Sequence, residues 1–174
     1  MVGLIIIVPL IIFVLFKSIV RINNNEVGMI KSGEKIIIVN PGYRFVFPFQ
    51  IFRKLDISTK TVEFNVNEIS SKTIKKSLLK SEIITKDKRS IKMNACYTYS
   101  VIDAEKTIKN LVDIEFAISQ ASQVSIIRIL KNVNYNEFIN SKDRYSNEVY
   151  NFLNKLCLNW GIKIDEFHIK EVSL

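Results

Sequence analysis

ITKDKRSIKMNACYTYSV, residues 84–101, changes character halfway along. Its first half is a polar turn centred on Thr85, Lys86 and Asp87. Its second half alternates without a break: Ile91, Met93, Ala95, Tyr97, Tyr99 and Val101 share one parity, and Lys92, Asn94, Cys96, Thr98 and Ser100 share the other. Period two means a strand with one face in a core and one face out. The pattern predicts a long half-buried strand.

On the N-terminal side the signals remain those of β structure. Between residues 26 and 66 short apolar runs (VGMI, IIIV, RFVF) are separated by turn residues (SGEK, NPGY), and Val62, Phe64 and Val66 alternate with Glu63, Asn65 and Asn67. On the C-terminal side the period becomes helical. Asp103 is placed to cap a short helix to Leu111, and Asp113 a second to about Lys131, with Ala117, Ala121, Val124 and Ile127 on one side. A third follows from Tyr145, Val149, Phe152, Leu153, Leu156, Cys157 and Trp160, stopped at Gly161. That stripe reads as core, with Cys157 an inert part of it. In the closing GIKIDEFHIKEVSL, Ile162 and Ile164 have one parity and Phe167 and Ile169 the other, which a β-bulge near Asp165 and Glu166 would reconcile. The class is α+β. The expected organisation is a membrane segment over 1–22, a β-rich unit over 23–101 and a helix-rich unit over 102–174.

The N-terminal run VGLIIIVPLIIFVLF, residues 2–16, holds no charge. As a helix it would be about 22 Å long, and about 31 Å if extended to Ile22 with Lys17 snorkelling, against a hydrocarbon core of about 30 Å. Val2, Leu4, Ile5, Ile6, Ile7, Pro9, Ile11, Ile12, Phe13, Leu15 and Phe16 are the anchor residues. Pro9 permits a kinked single span or a shallow hairpin that enters and leaves one leaflet. No basic residues precede the run and no small-residue cleavage pattern follows it, so a retained anchor is expected. Lys17 and Arg21 after the run place the body on the cytoplasmic side by the positive-inside rule.

PGYRFVFPF, residues 41–49, puts four aromatics beside a turn set by Pro41 and Gly42. The alternating Phe45, Phe47 and Phe49, interrupted by Pro48, form one row. Two readings stay open. The row is buried in the β-rich unit, or it dips into a membrane interface.

The 174 residues carry a net charge of +8. Between residues 70 and 92 eight basic residues stand against two acidic ones, so most of the excess is local. That excludes a basic surface of the nucleic-acid-binding type. SSKTIKKSLLKSEIITKDKRS, with Lys72, Lys75, Lys76 and Lys80, reads as a solvated loop or as a segment drawn to anionic lipid. Two cysteines are too few for a disulfide framework and lack metal-ligand spacing. His168 is the single histidine and has no identifiable nucleophile beside it; phosphate loops, zinc spacings and paired catalytic carboxylates are absent. The expectation is a protein without catalytic residues, cofactor or metal.

Taken in order, several stretches resemble stomatin-like proteins of the SPFH (band 7, prohibitin-related) family: EVGMIKSGEK after the apolar run, PGYRFVFPF, RKLDIST followed by VEFNV, ITKDKRSIKMNACYTYSV, and WGIKIDEFHIKEVSL. The resemblance covers about residues 21–174 and implies an SPFH1-like β-rich subdomain followed by an SPFH2-like one. It also implies a membrane-anchored scaffold that forms homo- or hetero-oligomers with SPFH proteins and organises lipid microdomains and partner membrane proteins. Expected partners are membrane lipids and a membrane protease or channel, not nucleic acid. Alternatives are an HflC-like accessory subunit of an FtsH-type protease and a module binding anionic lipid surfaces. The chain departs from the family pattern in the basic insertion before the T-K-D turn, and in ending at Leu174 where relatives continue into an Ala- and Glu-rich coiled coil.

Overall fold

The computed structural model describes residues 18–71 and 78–174, and the chain forms two compact units that divide between Ser58 and Thr59. The first unit is all β. Strand β1 (Ile19–Ile22) pairs antiparallel with β4 (Gly42–Phe45), and β2 (Glu26–Ser32) lies between β3 (Lys35–Val39) and β5 (Ile51–Asp56). Its small core holds Ile22, Met29, Ile30 and Val46. Gly28 on β2 is required by packing: a Cβ there would lie 2.5 Å from Ile22 Cδ1 and 2.7 Å from Val39 Cγ2.

In the second unit β10 (Ser90–Val101) is the strand expected from residues 84–101, and it is central. It pairs antiparallel with β6 (Lys60–Asn65) on one edge and with β11 (Ile162–Ser173) on the other, while β9 (Ile83–Ile84) pairs with its first residues. A separate ribbon joins β7 (Glu68–Ser70) to β8 (Leu78–Lys80). Ile91, Met93, Ala95, Tyr97 and Tyr99 all face the core, as the alternation requires. Thr98 pairs with Glu166 and Tyr99 with Ile164, leaving Asp165 unpaired in the register, so the bulge sits where the change of parity put it.

Four helices complete this unit: α1 (Ala104–Asn110), α2 (Ile114–Leu130), α3 (Tyr135–Asn140) and α4 (Lys142–Leu158). Asp103 and Asp113 both cap as expected, accepting from Lys106 N and Phe116 N at 3.0 Å each. On α4 the buried residues Tyr145, Val149, Leu153 and Cys157 recur every fourth position. Gly161 ends the turn after α4 with φ +79, a left-handed value that favours glycine, and a Cβ there would collide with the carbonyl oxygen of Asp103. Its carbonyl accepts from both Ile102 N and Asp103 N, tying the start of β11 to the start of α1.

Several expectations need correction. Residues 19–22 form a strand paired to β4, so the segment expected over 1–22 does not extend to Ile22; its anchor residues lie outside the described residues. Among the described residues no helix is long and apolar enough to cross a membrane. The expected boundary at 101/102 falls inside a sheet, because β10 is hydrogen-bonded to β11, and β6 and β10 therefore belong with the helices. Helix α3 gave no sequence signal strong enough to register. Of the residues marked on α2, Ala121 and Ile127 pack against the core from the edge of the buried face, but they are not its centre. That face is Ile118, Ser119, Ser122, Gln123, Ser125, Ile126 and Leu130, with Val124 exposed.

The buried polar groups of α2 explain that difference. Ser122 Oγ donates to Ile118 O and Ser125 Oγ to Ala121 O, both at 2.8 Å, so each hydroxyl is satisfied within the helix. Gln123 Nε2 donates to Val66 O at 2.6 Å, and Tyr97 OH donates to Glu115 O at 2.9 Å. Small, internally bonded serines let the helix approach the sheet closely at little desolvation cost.

Candidate membrane-facing surface

The stretch PGYRFVFPF builds a surface in the first unit from local rules. Strand β4 runs antiparallel to β1, with Phe45 opposite Ile19 and Tyr43 opposite Arg21. One further bond, Val46 N to Ser18 O at 2.7 Å, carries the pairing past the strand end. Pro48 has no N–H to continue a ladder, and the chain turns instead: Gln50 N donates to Phe47 O at 2.9 Å, and Phe47 N donates to Gln50 Oε1 at 3.0 Å. Pro48 thus occupies the second position of a doubly closed turn, where its fixed φ fits, and Phe49 stands beside it at the tip.

Alternation then separates the side chains. Val46 points into the core at 7% exposure, whereas Phe45, Phe47 and Phe49 are 42%, 49% and 76% exposed. Their rings touch in sequence: Phe45 meets Phe47 edge-on with centroids 5.0 Å apart, and Phe47 stacks on Phe49 at 5.4 Å with 17° between planes. Of the two readings open from sequence, burial of the row in the β-rich unit fails. Ile19, Tyr43 and Ile51, each more than half exposed, extend the surface. Arg21 lies over the Tyr43 ring with its Cζ 5.9 Å from the centroid.

Sequence reasoning found the phenylalanines and Pro48 but missed Ile19, Tyr43 and Ile51. Ile19 joins the row through the β1–β4 register, which no local pattern announces; Ile51 continues the same odd-numbered parity beyond the turn and was open to detection. The electrostatic setting is mildly basic, with six Lys and Arg against three Asp and Glu in residues 18–58 and no acid on β1 or β4. The row is a contiguous exposed aromatic surface with arginine beside it.

The other sequence-marked positions belong to the second unit or lie outside the described residues. Lys72, Lys75 and Lys76 lie outside the described residues, and Lys80, on β8, forms an exposed ion pair with Glu68 at 3.2 Å. His168 is exposed on the outer face of the sheet, with Nε2 3.9 Å from Glu166. The register does place a thiol near it, since Cys96 is its partner across the strands. Cys96 is nonetheless buried, and Lys170 and Glu63, which flank that row, bond to each other at 2.8 Å. Cys157 is enclosed in the core, where burial pushes its thiol pKa up to about 12.

Comparison with known proteins agrees with this architecture. The chain is 28% identical over 163 residues to an uncharacterized protein of Methanocaldococcus jannaschii, covering 93% of this chain and 75% of that one. It is 26% identical over 137 residues to a stomatin homolog of Pyrococcus horikoshii, covering 77% of this chain and 46% of the relative. With stomatin of Mus musculus it shares 22% identity over 107 residues, covering 62% and 38% respectively. The chain therefore spans less than half the length of these two stomatin relatives. Residues 20–174 match the profile described as SPFH domain / Band 7 family, which takes in every described strand and helix except the first residue of β1, and the chain belongs to that family.

Proposed function

We propose that this chain is a stomatin-like membrane scaffold without catalytic activity, whose first unit rests against the lipid–water interface. The observation that carries the reading is the exposed row Phe45, Phe47 and Phe49 with Ile19 beside it. Ile19 follows the apolar run of residues 2–16 by only three positions, so a membrane holding that run holds this surface close by. The apolar run provides anchorage, the phenylalanines enter the headgroup region, and Arg21 with Lys17 stays at the phosphates on the cytoplasmic side. Copies of the chain and partner membrane proteins gather on the scaffold so anchored.

The test is depth-dependent quenching. The full chain carrying Trp160→Phe and Phe49→Trp has its single tryptophan at the turn; in liposomes it should be quenched by lipids brominated near the headgroup. Equal emission with and without brominated lipid would defeat the interfacial placement.

A further inference from the structure

The β1–β4 ribbon has a direction. At one end the Val46 N–H donates to Ser18 O and the chain runs on into the Phe47–Phe49 turn; next along the ribbon Ile19 opposes Phe45, and two residues further Arg21 opposes Tyr43. Opposed residues share a face, so these four side chains line one side and all are exposed, whereas Ile22 points the other way into the core. That side is apolar at the end nearer in sequence to residues 2–16 and polar at the far end. Two strand residues span about 7 Å, and the polar layer on each side of a hydrocarbon core is about 5–8 Å thick. With Ile19 and Phe45 at the edge of the hydrocarbon, Arg21 and Tyr43 stand level with the lipid phosphates.

We propose that Arg21 and Tyr43 bind the phosphate of a phospholipid whose headgroup carries no cation, of the phosphatidylglycerol type. The inference rests on the interfacial reading of this surface and adds a lipid class to it. The Arg21 guanidinium lies over the Tyr43 ring, 5.9 Å from its centroid, so it is held in place before a ligand arrives, and its planar fork matches two phosphate oxygens. The exposed Tyr43 supplies its hydroxyl as a further donor. A choline or ethanolamine group, by contrast, needs a carboxylate or an open aromatic face at that level. Neither β1 nor β4 contains an acid; Glu26 is engaged by Asn23 N and Lys54, and Asp56 by Ser58. Arg21 already covers one face of the Tyr43 ring, and its charge and that of Arg44 repel a further cation.

The experiment uses the full chain in phosphatidylcholine liposomes, with Trp160→Phe and Phe45→Trp leaving one tryptophan beside the site. A small fraction of the lipid is brominated on its acyl chains, as phosphatidylglycerol in one set and as phosphatidylcholine in the other. Brominated phosphatidylglycerol should quench as though enriched about fivefold beside the tryptophan, the worth of one basic residue at an anionic surface. Arg21→Gln should remove the enrichment. Arg21→Lys, which keeps the charge, and Tyr43→Leu, which leaves it unaltered, should each remove most of it, since both undo the seated fork. Equal quenching by the two lipids, enrichment that survives Arg21→Gln, or enrichment untouched in both Arg21→Lys and Tyr43→Leu would overturn the proposal, the last by leaving diffuse charge attraction in its place. Millimolar glycerol phosphate at constant ionic strength should leave the enrichment intact; its abolition would assign the site to a free phosphate ester and overturn the lipid assignment. Liposomes made wholly of brominated phosphatidylcholine separate the two readings. Quenching there without enrichment in the mixed liposomes refutes only the lipid class, and no quenching there refutes the interfacial placement and this site with it.

Discussion

The Asp87 carboxylate accepts a hydrogen bond from the backbone N–H of Tyr135 at 3.1 Å, so a loop ahead of β10 caps the short helix α3. The T-K-D turn is built for this. Thr85 Oγ1 accepts from Arg89 N at 3.2 Å, Lys88 takes a positive φ of 62°, and Arg89 pairs with Asp87 at 3.1 Å while lying over the Tyr135 ring. Helix α3 has no side-chain cap of its own at Asn134, which makes the remote aspartate its N-terminal acceptor. The T-K-D turn is thus a tertiary clamp.

That clamp predicts a pH-dependent stability. A hydrogen bond from the Thr85 side chain, then the Tyr135 N–H and the Arg89 charge, hold Asp87 below its ordinary value of 3.8 against a smaller opposing desolvation. A depressed carboxylate stabilises the fold above its unfolded pKa, and that contribution is lost as pH falls through the folded value. Asp87→Asn should therefore lower the thermal midpoint by a few degrees at pH 7, and the gap to wild type should close progressively below pH 3.8. A gap unchanged at pH 3 would mean that the charge is not involved.

The polar residues buried on α2 predict that stability there will not follow hydrophobicity. Ser122 is fully buried with its hydroxyl already bonded, so Ser122→Leu forces extra volume against the sheet and should cost about 1–3 kcal/mol despite being apolar. Leu153→Ala on α4, at another fully buried position, should cost about 2–5 kcal/mol. Urea unfolding followed through Trp160, which packs against this core, reads both. A Ser122→Leu variant as stable as wild type would show that the helix stands further from the sheet than described.

Much of this was legible in the sequence, and the divide between what was and was not is physical. The alternation in 91–101, the caps Asp103 and Asp113, the Gly161 stop and the parity change at Asp165 are local signals, and each element formed where its residues required. What escaped was set by partners distant in the chain. The pairing of Ile19 with Phe45 turned the end of the expected membrane segment into a strand, and the pairing of β10 with β11 moved the boundary between units to Ser58. Residues 114–130 misled because apolar spacing marks a buried face only when the helix packs through large side chains. Here three of the seven buried residues are serines.

Cys157 predicts a second pH effect at the alkaline end. Its pKa rises from the ordinary 9.0 to about 12 because burial disfavours the thiolate. Above pH 9.0 the unfolded chain releases this proton while the native chain keeps it, so stability should decline between those two values and be unaffected below them. Cys157→Ala should remove that part of the decline. In the native chain at pH 8 the thiol should resist maleimide and react only after unfolding; prompt labelling of Cys157 would contradict its enclosure.

The aromatic row allows the membrane reading to be separated from folding by neighbouring residues in one stretch. Fully burying a phenylalanine from water is worth about 1.5–3 kcal/mol, and Phe47 and Phe49 keep about half and three quarters of their surface exposed. Transfer of those exposed parts into an interface should therefore contribute on the order of 1 kcal/mol or more each, so Phe47→Ser with Phe49→Ser should lower partitioning onto liposomes by roughly 10- to 100-fold in a chain lacking residues 1–17. Neither substitution opens a cavity, so the thermal midpoint should barely move. Val46→Ser, one residue from Phe47 but only 7% exposed, should do the opposite and destabilise the first unit. Circular dichroism and flotation on the same samples distinguish the outcomes. Full retention of flotation in the double variant would leave the row without a membrane role, and loss of fold together with flotation would mean that the phenylalanines support the unit instead of facing the lipid.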